Sequence, residues 1–163
     1  MSDILFHHED YVFSYRVAGI LIYDNKILLQ KPPNDTGYAL PGGHVGLGET
    51  NAQTLEREFR EEIGADIAIN SLKWVAEIFF PWGDKPCHQI CLFYDVGLKN
   101  AAQIPLDGIF TGDEHLEESE FKIEFCWISI DTLSQIEVYP ANIADLMGRY
   151  HDGVQHFIYR EAN

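Results

Sequence analysis

With 163 residues, 46% of them hydrophobic, the chain is long enough to enclose one core and short for two. Its formal net charge of -15, from 26 acidic against 11 basic residues, excludes the clustered Lys and Arg that hold a nucleic-acid polymer. A small phosphorylated partner is compatible with that charge only if bridging cations screen the carboxylates, so metal dependence is already an expectation.

Residues 1–10 lack the basic start and uninterrupted apolar run of a secretory signal, and no later stretch reaches membrane-spanning length. A cytoplasmic protein with no membrane partner is the expectation. His7-His8-Glu9-Asp10 carries metal-binding residue types but reads as a frayed terminus. From Val12 to Gln30 the chain runs through β-branched and aromatic residues broken only at Asp24-Asn25, which predicts two strands joined by a tight hairpin turn. A Pro-, Asn- and Gly-rich loop from Pro32 to Gly37 follows, then Tyr38 to Gly43, a short extended piece closing in a glycine turn.

Thr50 or Asn51 caps a predicted helix running to about Ile63, with Ala52, Leu55, Phe59 and Ile63 recurring at three- and four-residue steps as a core-facing stripe. Gly64 stops it. Strands are predicted near Ile67 to Phe80, His88 to Leu98 and Phe121 to Ile130, with Asp107 to Glu120 as an exposed acidic loop. Two short helices follow, one after Asp131 and one starting at Pro140 and reaching about Tyr150, before a last strand at His156 to Arg160. The apolar strands near both ends leave room for a homodimer. Cys87, Cys91 and Cys126 are odd in number and form no C-x-x-C pair, which fits a reduced compartment; Cys87, His88 and Cys91 lack a convincing fourth ligand for zinc. The order is that of one mixed α/β domain over residues 1–163.

The chemistry is concentrated between Gly43 and Ala65. On a helix, positions three and four apart share a face, so Glu58, Glu61 and Glu62 project to one side while Leu55, Phe59 and Ile63 project to another. Like charges at those steps repel by a few tenths of a kcal/mol per pair, and hard divalent cations with oxygen ligands offset this. An isolated E-x-x-E-E run is ordinarily a solvated face. Here the glycine turn before the helix, Glu49 in the loop, Arg57 eight positions later and Gly64 at the end are separate requirements met together.

That segment resembles the Nudix box, G-x5-E-x7-R-E-U-x-E-E-x-G-U with U a bulky apolar residue. Every fixed position matches; Phe59 and Ala65 stand at the two U positions, where aliphatic residues are commoner. The box covers 23 residues, and the flanking order of strands is also similar to the family's fold, an α/β/α sandwich with a mixed sheet. The resemblance implies hydrolysis of a nucleoside diphosphate linked to another moiety X, with Mg2+ or Mn2+ as cofactor and water attacking phosphorus. It implies Glu58, Glu61 and Glu62 as metal ligands with the Gly43 carbonyl, and Arg57 and Glu49 as an ion pair that orients them.

A further carboxylate outside the box is expected to act as base. Glu114, Glu117, Glu118 and Glu120 all lie in the acidic stretch; Glu120, just before the strand leading to Trp127, is preferred, with Glu77 as competitor. Arg16 and Lys31 are candidates for phosphate oxygens, and Phe79-Phe80-Pro81-Trp82 for a base-stacking wall. Two other classes fit parts of the pattern: a nucleotide-sensing Nudix domain without catalysis, and an acidic interaction domain that binds divalent cations. The box is shared by enzymes acting on ADP-ribose, nucleotide sugars, dinucleoside polyphosphates and oxidised triphosphates, so it reports the diphosphate and not X.

Overall fold

The computed structural model describes residues 2–31, 36–112 and 123–161. Strand β1 (Leu5–His7) pairs with β2 (Val12–Tyr23), which turns into β3 (Lys26–Lys31). The expected hairpin is present: Asp24 and Asn25 both take positive φ, 51° and 59°, the double left-handed conformation of a turn that matches strand twist. Two short strands, β4 (Tyr38–Ala39) and β5 (Gly42–His44), lead into helix α1 (Asn51–Glu62). The long hairpin β6 (Ile67–Trp82) and β7 (Lys85–Leu98) follows, then β8 (Ile109–Thr111), β9 (Glu124–Ser129), β10 (Val138–Tyr139), helix α2 (Ile143–Met147) and β11 (Gln155–Arg160).

The strands join in a mixed sheet ordered β10-β4-β3-β2-β7-β6-β11, with β1 and β5 also on β2, and β9 bridging β3 to β8. The β2·β7, β6·β11 and β4·β10 pairs are parallel; the other pairs are antiparallel. Each face carries a core. On one, Leu55, Phe59 and Ile63 of α1 pack with Val17, Leu21, Leu28 and Phe125. On the other, Ile143 and Leu146 of α2 pack with Ala18, Ile20, Leu29, Trp74 and Phe93. Alternation along β2 divides its residues between these faces, and the result is the expected mixed-sheet sandwich.

Three local expectations are corrected. The stretch after Asp107 is not loop throughout: Ile109–Thr111 forms β8, because its residues pair with Cys126, Phe125 and Glu124 and Phe110 stacks on Phe125. The segment after β9 is a 3-10 turn over Ile130–Gln135, begun by Ser129, whose side chain accepts from Asp131 N. No helix begins at Pro140. Tyr139 is drawn into the ladder opposite Ala39 and a residue before proline favours extended backbone, so α2 starts at Ile143 and spans five residues. Of the predicted apolar stripe on α1, Ala52 is only partly buried, whereas Thr54 is fully enclosed.

Candidate active site

Helix α1 is held at both ends. Thr50 caps it in a reciprocal box with Gln53, the Thr50 side chain accepting from Gln53 N and the Gln53 side chain accepting from Thr50 N. Asn51 then ties the first turn to two strands: its Oδ1 accepts from Tyr15 of β2 at 2.9 Å and its Nδ2 donates to Tyr94 of β7 at 2.8 Å. Phe59 sits over Gly19 so closely that a Cβ there would lie 2.7 Å from its ring. These contacts fix how α1 rotates about its axis, and therefore where its carboxylates point.

Glu49 and Arg57 form the expected clamp. Arg57 Nε donates to Glu49 Oε2 at 3.1 Å and Nη2 to Oε1 at 2.9 Å, a two-pronged pair that links loop to helix. Thr54 Oγ1 donates to Glu49 Oε1 and accepts from Gly46 N, which explains why a threonine is buried here. The Arg57 bonds hold the Glu49 carboxyl below its ordinary range. Arg57 also donates through Nη1 to Glu58 at 3.2 Å and Glu61 at 3.4 Å.

The three helix carboxylates do not sit alike. Glu61, 55% exposed at its side chain, follows Arg57 one turn back. Glu58 is 15% exposed and lies against Gly43, where a Cβ would come within 2.5 Å of its Cδ. Glu62, one turn on, is hydrogen-bonded to Glu58; burial and the Glu58 charge push it up to about 8, and burial raises Glu58 too. Raised carboxyls are what is expected where like charges crowd in a partly buried setting. Among the described residues no three His, Cys, Asp or Glu side chains are gathered as a ready-made metal cage.

The donor set nevertheless suits a hard divalent cation: oxygen donors only, two of them repelling each other, beside a glycine whose missing side chain gives Glu58 its room. Glu58, Glu61, Glu62 and the Gly43 carbonyl would hold such an ion. When bound, it would neutralise phosphate charge and lower the pKa of a coordinated water.

Arg16, on β2 opposite His44 of β5, donates to the Leu40 carbonyl at 3.0 Å. It lines a cavity of about 480 Å³ on the sheet face away from α1, and its positive charge is felt at Glu62. Phe80, Pro81 and Trp82 form part of the wall, as do residues that sequence reasoning missed: His44, Gln89, Tyr139 and Tyr159. Only His44 carried a signal, its place directly after the glycine of the box. Lys31 lies elsewhere, 5.9 Å above the Tyr38 ring. Glu77 Oε2 is 2.8 Å from His156 Nε2, on a strand separated from β2 by β7. Glu114, Glu117, Glu118 and Glu120 lie outside the described residues. A larger open groove of about 1090 Å³ at the tip of β6 and β7 includes none of the residues from Gly43 to Ala65. Cys87 and Cys91 are buried, while His88 between them lies against Phe79, the rings tilted by 44°, on the opposite side of the strand.

Fold and site together define a mixed-sheet α/β domain whose glycine turn and carboxylate-bearing helix are clamped into one unit. The chain belongs to the NUDIX domain family, whose model matches residues 14–147. It is 46% identical over 59 residues to an ADP-ribose pyrophosphatase of Methanocaldococcus jannaschii, a match covering 34% of this chain and about a third (35%) of that protein. It is 27% identical over 130 residues to an uncharacterized Nudix hydrolase of Bacillus subtilis, covering 78% of this chain and 75% of the other. Among solved structures, a UDP-X diphosphatase superposes with a TM-score of 0.61 at 18% identity, covering 88% of this chain and 66% of that one. A NUDIX hydrolase from Nitrosomonas europaea gives 0.60 at 21%, covering 95% and 82%. At such identities the structures speak for the fold; membership of the family supports a pyrophosphohydrolase.

Proposed function

We propose that the protein hydrolyses a phosphoanhydride bond in a nucleoside diphosphate linked to a second moiety, with Mg2+ or Mn2+ held by Glu58, Glu61, Glu62 and the Gly43 carbonyl. The observation that carries this reading is the placing of Glu58 and Glu62, two partly buried carboxylates one helical turn apart, next to a Gly43 backbone that has no side chain in the way. Positioning and electrostatics supply most of the rate in phosphoryl transfer, and the residues here are arranged for both. Arg57 and Glu49 hold the ligand-bearing turn against the box loop. Arg16 lines the cavity and acts on Glu62 through its charge, and its guanidinium is a group that can meet a phosphate oxygen.

For the base we propose Glu120. Its support is positional: Gly112 N donates to the Ile123 carbonyl at 3.2 Å, and Gly112 packs on the Glu62 backbone, so the two residues that flank the segment carrying Glu120 meet beside the end of α1. Residues 1–163 are taken as one domain. Three buried free cysteines favour a reducing, cytoplasmic setting; no helix among the described residues is long and apolar enough to cross a membrane. The test is product identification on a panel of ADP-ribose, nucleotide sugars, dinucleoside polyphosphates and nucleoside triphosphates, with Mg2+ and with chelator. Chelator-sensitive release of a nucleoside monophosphate or of pyrophosphate is the expected result. No turnover on any of them, with tight nucleotide binding, would favour a sensing domain.

A further inference from the structure

Strands β1 and β5 lie end to end along one edge of β2, both antiparallel to it, with β7 on the other edge. Leu5 of β1 pairs with Ser14 and His44 of β5 pairs with Arg16, so the two chains arrive together at Tyr15. There the three backbones close a ring of hydrogen bonds. Ile4 N donates to the Val45 carbonyl at 2.8 Å, Val45 N to the Tyr15 carbonyl at 2.9 Å, and Tyr15 N to the Ile4 carbonyl at 3.0 Å. Beyond that junction residues 2–4 run beside residues 45–47: Asp3 bridges Gly46 in antiparallel register, and Leu47 N donates to the Ser2 carbonyl at 2.7 Å. Ile4 also packs against the core that contains Val45, Leu55 and Phe59. Residues 45–47 open the loop that carries Glu49, and the Tyr15 hydroxyl bonds Asn51 in the first turn of α1.

We propose that Ser2, Asp3 and Ile4 are positioning residues for the metal site, a latch that holds the box loop in the shape from which Gly43 and Glu49 act; this rests on the hydrolase reading above, since metal affinity is the quantity the latch sets. A loop that leaves a sheet edge carries backbone N–H and C=O groups that gain fixed protein partners only where another segment runs beside them. From the helix, Thr54 anchors Gly46 N and Arg57 holds Glu49. The N-terminal residues hold the Val45 carbonyl and Leu47 N, which those side chains do not reach. Ser2 and Asp3 are exposed and Ile4 is partly buried, so this attachment opens at lower free energy than the core beneath it. Apparent affinity for a ligand falls in proportion to the fraction of molecules in the binding-competent state. A change at residues 2–4 is therefore felt at the metal site without any ligand being altered.

The test compares wild type with Ile4→Pro, which removes the donor to Val45, and with a deletion of Ser2 and Asp3, which removes the acceptor for Leu47 N and keeps β1. Amide hydrogen exchange reports the latch, electron paramagnetic resonance of added Mn2+ reports affinity, and turnover is followed against Mn2+ concentration. In both variants exchange at Leu47 should accelerate and the Mn2+ dissociation constant should rise about 10-fold, while excess Mn2+ restores turnover because the ligands are intact. Ile4→Val, which keeps the N–H and the branched side chain, should match wild type. Leu146→Ala, which weakens the core under α2 on the other face, should lower the unfolding midpoint and leave Mn2+ affinity unchanged. Wild-type Mn2+ affinity in the deletion variant, or in a folded Ile4→Pro, would overturn the latch, and the deletion decides alone if Ile4→Pro does not fold. Variants that bind and cut like wild type sink the latch alone; a wild type that neither binds Mn2+ nor cuts any substrate sinks the hydrolase reading and the latch with it.

Discussion

Glu58 leans on the backbone of Gly43, with space so limited that a single added carbon at residue 43 would lie 2.5 Å from its Cδ and 2.7 Å from Oε1. The glycine of the box therefore acts through space on the helix fifteen residues later, by leaving the volume into which the carboxylate folds. Gly43→Ala is expected to push Glu58 aside, at a cost of roughly 1–3 kcal/mol from overpacking. Hydrolysis and Mg2+ affinity should fall on the order of 10- to 100-fold. Metal titration alongside thermal unfolding checks this: loss of affinity should far exceed what the stability change explains.

Glu62 gives a pH dependence with a definite sign. Its carboxyl is raised to about 8 in the fold from an ordinary value near 4.5, so the folded state holds a proton that the unfolded state releases. Stability from this group is complete below pH 4.5 and declines as pH rises through about 8. Glu62→Gln should thus be more stable than wild type at pH 8, by unfolding midpoint, while hydrolysing far less. Mg2+ uptake by wild type at pH 7 should release about one proton, measured in buffers of different ionisation enthalpy.

The Glu49–Arg57 clamp predicts the opposite slope at low pH. Arg57 holds the Glu49 carboxyl below 4.5, so its stabilisation is present above that value and is lost as pH falls through the lower folded one. Arg57→Ala should remove this contribution, and its acid unfolding curve should be flatter than that of wild type below pH 4.5. Arg57→Lys should fail to restore metal affinity, because an ammonium cannot make both bonds to Glu49.

Phe59 against Gly19 offers a test of the helix seat. Gly19→Val would place carbons where the Phe59 ring lies 2.7 Å from a Cβ, and Val96 is also close, at 3.2 Å. Destabilisation of about 1–3 kcal/mol is expected in denaturant unfolding.

Much of this architecture was legible in the residues themselves. Asp24-Asn25 announced a turn because few residues accept two positive φ angles in succession, and Thr50 or Asn51 marked the start of α1, although the reciprocal bond from Gln53 that settles the cap on Thr50 was not read from the sequence. The spacing of Glu58, Glu61 and Glu62 showed one helical side, yet not that Glu61 stays exposed while Glu58 and Glu62 are partly buried; that division depends on burial, which periodicity does not carry. Tyr139 and Tyr159 could not be assigned to a site because only sheet order, with β10 beside β4 and β11 beside β6, brings them near Arg16. The absent helix at Pro140 was a contest between a good first-turn residue and a ladder partner at Ala39, and the ladder won.

On the proposed function, the α1 carboxylates bind a divalent cation on which hydrolysis depends. Electron paramagnetic resonance of Mn2+ titrated into wild type and into Glu58→Gln/Glu62→Gln tests it directly. Tight Mn2+ binding by wild type, lost together with hydrolysis in a double variant of unchanged circular dichroism, is the predicted result. Equal Mn2+ binding by both proteins, with turnover retained, would contradict it.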